Sequence, residues 1–242
     1  MDGAAILAES VLRARSRYEM EMVALVLPEV VSSRAPLQKL SYRIIERPKP
    51  VRNEEIRGPL KDQIERGGCC GSNELLKLEM FRLHDYWRVV ALDMDSMVLR
   101  NFDELLAIDR QMLYTTDPMM AKEGVNRHPP FQGGFFVVQP SEKVFDDIVE
   151  IVRRGNFGGG LGWEKSRIGH HYGGATIQGV LPFYYHTKAD PDSFMEIDRC
   201  KYNNMADGLH AECKEMSASN VSTRWGAGAW FLFLSCCARL TS

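Results

Sequence analysis

Long apolar runs are missing from this sequence. Its most apolar stretch, AGAWFLFLSCCA at Ala227–Ala238, falls well short of the ~20 residues that cross a bilayer. That excludes a transmembrane segment of ordinary length and points to a buried terminal segment. Excess positive charge is missing too: 30 Lys and Arg face 32 Asp and Glu, for a net charge of -2. Nothing in that balance draws in nucleic acid or an anionic membrane. Metal-binding cysteine spacing is also lacking. The six cysteines fall as the neighbours Cys69-Cys70 and Cys236-Cys237 plus single Cys200 and Cys213, without the CxxC spacing of zinc and dithiol-redox sites, and are too few for a disulfide scaffold of this size. The first residues, MDGAAILAESVLRARSRY, lack the basic stretch and apolar core of a signal peptide. No internal repeat, low-complexity tract or composition break appears.

What remains is an ordinary globular balance, 45% hydrophobic and 26% charged over 242 residues, suited to one large α/β domain. Apolar spacing predicts a helix over Ala4–Ser16, a buried strand over Glu21–Leu27 stopped by Pro28, and a short strand over Tyr42–Ile45. Residues 47–72 are polar and charged, and read as a long surface loop of the kind that often serves binding. An amphipathic helix follows over Asn73–Leu83 with Asn73 as its cap. Strands are expected at Trp87–Leu92, Met112–Thr116 and Gly133–Val138, and helices at Asn101–Leu106, Ser141–Arg153 and Thr176–Tyr185. Residues 155–174 are glycine-rich and read as a flexible loop. Helix and strand alternate, which argues for a mostly parallel sheet flanked by helices. One domain over 1–216 is expected, followed by an irregular C-terminal segment over 217–242.

The chemistry concentrates in ALDMDSMVLRNF, Ala91–Phe102. Asp93 and Asp95 follow an apolar strand directly, and ligands of open α/β sheets bind beyond the carboxyl ends of strands. In an extended stretch, residues two apart point the same way, so both carboxylates aim at one point. Two anions that close repel unless a cation sits between them. A hard divalent ion, Mn²⁺ or Mg²⁺, takes such carboxylates together with substrate phosphates. Met94 offers its backbone there. The bland alternative is one aspartate capping the next helix and the other in solvent.

Two enzyme classes place aspartates at a strand end. In phosphatases of the haloacid-dehalogenase type the first is a nucleophile, but that motif lies on the chain's first strand, and Asp146-Asp147 sits mid-helix where such enzymes need a later acidic motif. The other class is the nucleotide-sugar glycosyltransferases of GT-A fold. LLKLEMFRLHDYWRVVALDMDSMVLRNFDELL resembles the central block of glycosyltransferase family 8, the glycogenin-like and galactinol-synthase-like enzymes. PPFQGGFFVVQPS and QGVLPFYYH resemble two further family segments.

The resemblance implies a GT-A-like nucleotide-diphospho-sugar transferase fold and retaining transfer of a hexose from a UDP-sugar to a carbohydrate, polyol or protein acceptor. It implies Asp93 and Asp95 as ligands of Mn²⁺ (or Mg²⁺), and Lys77, sixteen residues before Asp93, as a cation beside the departing diphosphate. Met94, Gln132, Gly133, Gly134 and Gln178 would contact the donor. Three features depart from the family. Its opening strand belongs before Gly3, Ile177 stands where it has Asp, and its late histidine-lysine motif is not found, with His186 and His210 reading as stray surface histidines. A non-catalytic binding module is the remaining alternative, and the compartment stays open between cytosol and Golgi lumen.

Overall fold

A computed structural model describes residues 1–117, 120, 126–158, 160–204 and 213, and the strand backbones of 221–223 and 232–239. The chain opens with helix α1 (Asp2–Ala14), strand β1 (Glu19–Val26), helix α2 (Arg34–Lys39) and strand β2 (Arg43–Glu46). Short 3₁₀ turns lead to a 3₁₀ helix over Gly71–Arg82, then strands β3 (Arg88–Leu92) and β4 (Ser96–Val98) and helix α3 (Asp103–Leu106). Strands β5 (Met112–Thr116) and β6 (Phe131–Val138), helices α4 (Glu142–Arg154) and α5 (Ile177–Thr187), strand β7 (Phe194–Glu196) and helix α6 (Arg199–Tyr202) follow. The described chain ends with strands β8 (Val221–Thr223) and β9 (Leu232–Arg239).

The main sheet runs β2-β1-β9-β3-β6-β5-β7. It is mixed, not mostly parallel as expected. β1 pairs β2 and β5 pairs β7 in parallel, whereas β9 runs antiparallel to β1 and β3, and β6 antiparallel to β3 and β5. Part of the C-terminal stretch expected to be irregular is thus regular: β9 lies inside the sheet and β8 pairs β4.

Both faces of the sheet are covered, which is why RVVAL reads as one continuous apolar run. Val89 and Ala91 of β3 face a core built with α4, α5 and the 3₁₀ helix, while Val90 and Leu92 face a second core with α1. α1 buries Ala4, Leu7, Ala8 and Val11 and leaves Ile6 and Leu12 exposed, so its inward stripe is built on smaller residues than the apolar count implies. Ser141 caps α4 by accepting from the Val144 amide, and Gly155 ends that helix in the left-handed region (φ 62°).

The 3₁₀ helix corrects a second expectation. It is not amphipathic: Leu75, Leu76, Leu78, Met80 and Phe81 are buried, and so are Glu74 and Glu79. Asn73 does not cap it; Cys70 precedes its first residue without a capping hydrogen bond. The glycine-rich loop is likewise fixed in its described part by fully buried Trp163, whose indole N–H donates to the Gly174 carbonyl at 2.8 Å. Cys200 and Cys213 form a disulfide, a pairing the spacing does not announce. Among the described residues, no helix is long and apolar enough to cross a membrane.

Candidate active site

β3 ends at Leu92, and the chain turns at once. The Ser96 amide donates to the Asp93 carbonyl at 3.0 Å, closing a four-residue turn over Asp93–Ser96. The aspartates are therefore not in extended backbone, and two-residue alternation is not what brings them together. The turn does so, and both line one cavity. It is tied to the neighbouring strand by the Asp93 amide, which donates to the Gly134 carbonyl at 3.2 Å. From the other side α1 presses on it: a Cβ at Gly3 would lie 2.6 Å from the Met94 carbonyl oxygen, so only glycine permits that approach. Met94 is half-buried between the aspartates and packs against the second core; it is not among the cavity-lining residues.

Lys77 reaches the same cavity from the 3₁₀ helix. With three residues per turn, positions i and i+3 eclipse, so Glu74 and Lys77 stack on one side and both line the wall. Lys77 Nζ donates to Asp93 Oδ1 at 2.6 Å and to the Gly133 carbonyl at 2.8 Å. Burial by itself pushes the ammonium toward neutrality, but the charges of Asp93 and Glu74 and the hydrogen bond to Asp93 outweigh it. The pKa lies above the usual lysine value, so the group is a fixed cation at neutral pH.

Opposite, the start of β6 supplies Gln132, Gly133 and Gly134. Gln132 Oε1 accepts from the Gly134 amide at 2.5 Å and from Asn203 Nδ2 at 2.9 Å. Asn203 also donates to Thr115 Oγ1 at 2.9 Å. A Cβ at Gly134 would sit 3.3 Å from Asp93 Oδ2, and one at Gly133 would sit 3.2 Å from Gln178 Cγ. Both glycines are where backbone and side chains crowd together. Gln178, in the first turn of α5, is buried and lines the cavity too.

The structure thus brings together Lys77, Asp93, Asp95, Gln132, Gly133, Gly134 and Gln178. Sequence reading missed the others on the same wall: Cys69, Glu74 and Tyr172, the last a 58% exposed tyrosine at the rim. Asn203 was equally invisible, because a buried amide that orients another amide leaves no pattern in sequence. Neither His186 nor His170 lines the cavity; His186 stacks on His128 at 3.7 Å instead. His210 lies outside the described residues. Asp147 on α4 accepts from Lys143 and Tyr184 and takes no part.

As a donor set, two carboxylates of hard oxygen fit one face of a hard divalent cation, with room for phosphate oxygens and water at its remaining positions. Asp95 is exposed and Asp93 half-exposed on the cavity wall, as such a ligand pair requires.

No family profile matches the chain. Among curated proteins, the Arabidopsis thaliana protein PGSIP7, provisionally named a glucuronosyltransferase, is 35% identical over 101 residues, covering 42% of this chain and 18% of its own length. Glycogenin-1 of Caenorhabditis elegans is 29% identical over 114 residues, covering 47% of this chain and 25% of its own. The chain matches about a fifth to a quarter of those proteins' lengths. Among solved structures, the galactosyltransferase LgtC, crystallised with donor and acceptor sugar analogues, superposes with a TM-score of 0.58 at 14% identity, over 93% of this chain and 83% of its own. An active-site mutant of LgtC gives 0.57. The superposition speaks for fold alone, and it is the GT-A fold. The likeness in sequence to these relatives and in fold to LgtC together support kinship with the glycosyltransferases of family 8.

Proposed function

We propose that the chain binds a UDP-sugar and transfers its hexose, with retention of anomeric configuration, to a carbohydrate, polyol or protein acceptor. The observation that carries this reading is the Lys77–Asp93 contact of 2.6 Å in a cavity shared with Asp95 and the Gly133-Gly134 backbone. Asp93 and Asp95 would hold Mn²⁺ or Mg²⁺, whose charge would stabilise the diphosphate as it leaves. Lys77, protonated at neutral pH, adds a preorganised positive charge on the same side. Gly133 and Gly134 let the donor sugar approach the backbone, and Gln178 and Gln132 offer amides to its hydroxyls.

Transfer is tested by incubating the chain with UDP-glucose, UDP-galactose or UDP-glucuronate and Mn²⁺ and measuring released UDP. Metal-dependent release that Asp95→Ala abolishes supports the reading. Release that continues in chelator, or survives Asp95→Ala, overturns it. Tight UDP binding without release from any sugar would leave the binding-module alternative in its place.

A further inference from the structure

At the rim of the cavity, before the 3₁₀ helix, stand two cysteines that the proposed transfer does not use. Cys69 is exposed and Cys70 partly so, and both are free thiols. Their sulfurs lie 2.6 Å apart, and Cys69 Sγ is 3.5 Å from Glu74 Oε1. Ligand atoms of Cys69, Cys70 and Glu74 all fall within 4.8 Å of one another, the one such three-donor group among the described residues. The local backbone is shaped for this convergence. Gly68 and Gly71 bracket the pair, both in the left-handed region (φ 63° and 57°), and a side chain at Gly68 would collide with the Glu74 carboxylate. Glu74 is itself anchored, since its Oε2 accepts from Thr176 Oγ1 at 2.5 Å.

Two thiols and a carboxylate make a donor set different in kind from the aspartates. Sulfur is a soft ligand that selects zinc and its heavier congeners, whereas carboxylate and carbonyl oxygens suit Mg²⁺ and Mn²⁺. The nearby ammonium of Lys77 already donates to Asp93 and Gly133. We propose that Cys69, Cys70 and Glu74 form a second cation site at the cavity rim, selective for a soft divalent ion such as Zn²⁺. Binding replaces the two thiol protons, which leave to solvent, and water completes the coordination. Zinc–sulfur bonds of about 2.3 Å require the sulfurs to spread to about 3.8 Å, a side-chain rotation open to a residue as exposed as Cys69. The site stands independently of glycosyl transfer.

The test uses the full chain and a mapped thiol reaction. Cleavage after Arg66 and Lys77 yields the peptide GGCCGSNELLK, which carries this cysteine pair apart from the others. Alkylation of that peptide by a maleimide is followed by mass spectrometry with Zn²⁺, Mg²⁺ or no added metal. Zn²⁺ at ten times its dissociation constant is expected to slow alkylation about tenfold by mass action, with Mg²⁺ without effect and the protection weakened in Glu74→Gln. Equilibrium dialysis of the native chain should show one more bound Zn²⁺ than Cys69→Ser/Cys70→Ser. No protection by Zn²⁺, equal protection by Mg²⁺, protection undiminished in Glu74→Gln, or equal zinc uptake by the native chain and the double serine variant would each overturn the proposal.

Discussion

The contact between Lys77 and Asp93 makes a quantitative demand. The lysine side chain is 15% exposed and the aspartate 36%, so the partners are not equally able to turn to water. At 2.6 Å and an effective dielectric near 20, the attraction is about 6 kcal/mol. Desolvation of the ammonium and screening at the half-exposed carboxylate remove more than half, leaving a coupling of about 2 kcal/mol. Asp93→Asn strands a largely buried ammonium whose next acceptor is the Gly133 carbonyl, at a cost of about 3 kcal/mol. Lys77→Met leaves a carboxylate that water can reach and costs about 1 kcal/mol. Urea unfolding of the native chain, both single variants and the double variant gives the coupling as a double-mutant cycle. The pKa direction supplies a check on sign. A lysine raised above its ordinary 10.5 contributes fully below that value, and its contribution fades as pH climbs through the folded value. A coupling below about 0.5 kcal/mol, or Lys77→Met as the costlier single change, would refute the reasoning.

Three further outcomes follow from other parts of the fold. Burial, the stacked ring of His128 and nearby Arg127 push His186 down to about 4; stability is then complete above pH ~6.5 and falls toward pH 4, by about 1–2 kcal/mol after allowance for solvent at this half-buried ring. Urea midpoints at pH 7 and pH 5 should show that drop, and His186→Phe should shrink it; an unchanged drop contradicts the assignment. Buried Arg88 donates to the carbonyls of Leu106, Ile108 and Arg110, so Arg88→Met should cost about 3 kcal/mol in the same denaturation assay, and a loss under 1 kcal/mol would show those carbonyls to be otherwise satisfied. A Cβ at Gly174 would lie 1.7 Å from the Gly169 carbonyl oxygen; Gly174→Ala should therefore lower thermal stability by more than about 3 kcal/mol, and a native-like Tm would mean the loop around Trp163 packs differently.

Much of this fold is legible in the sequence because burial on both sheet faces leaves continuous apolar strands, as at Met112–Thr116 and Arg88–Leu92. Direction is another matter. A run such as GFFVV is equally apolar in parallel and antiparallel pairing, so β6 and β9 could not be oriented, and the sheet was expected to be mostly parallel. Leu232–Arg239 carries no alternation because it lies inside the sheet. The segment before Leu83 reads as amphipathic because glutamates such as Glu74 and Glu79 ordinarily face solvent. Both are buried, Glu74 held by Thr176 and Glu79 by Arg47 and Arg82. At the cavity, the aspartates, Lys77 and the glycines stood out as charges and small residues in an apolar context. Cys69, Tyr172 and Asn203 did not, since their proximity exists only once the loops before the 3₁₀ helix and α5 and the chain after β7 are folded.

The central claim is that Asp93 and Asp95 hold a hard cation that recruits a nucleotide diphosphate beside Lys77. Isothermal titration of UDP into the native chain, with and without Mn²⁺, tests it most directly. The account predicts heat with the metal, little without it, and loss of the metal-dependent heat in Asp95→Ala. No heat in the native chain, or heat unchanged in Asp95→Ala, would contradict it.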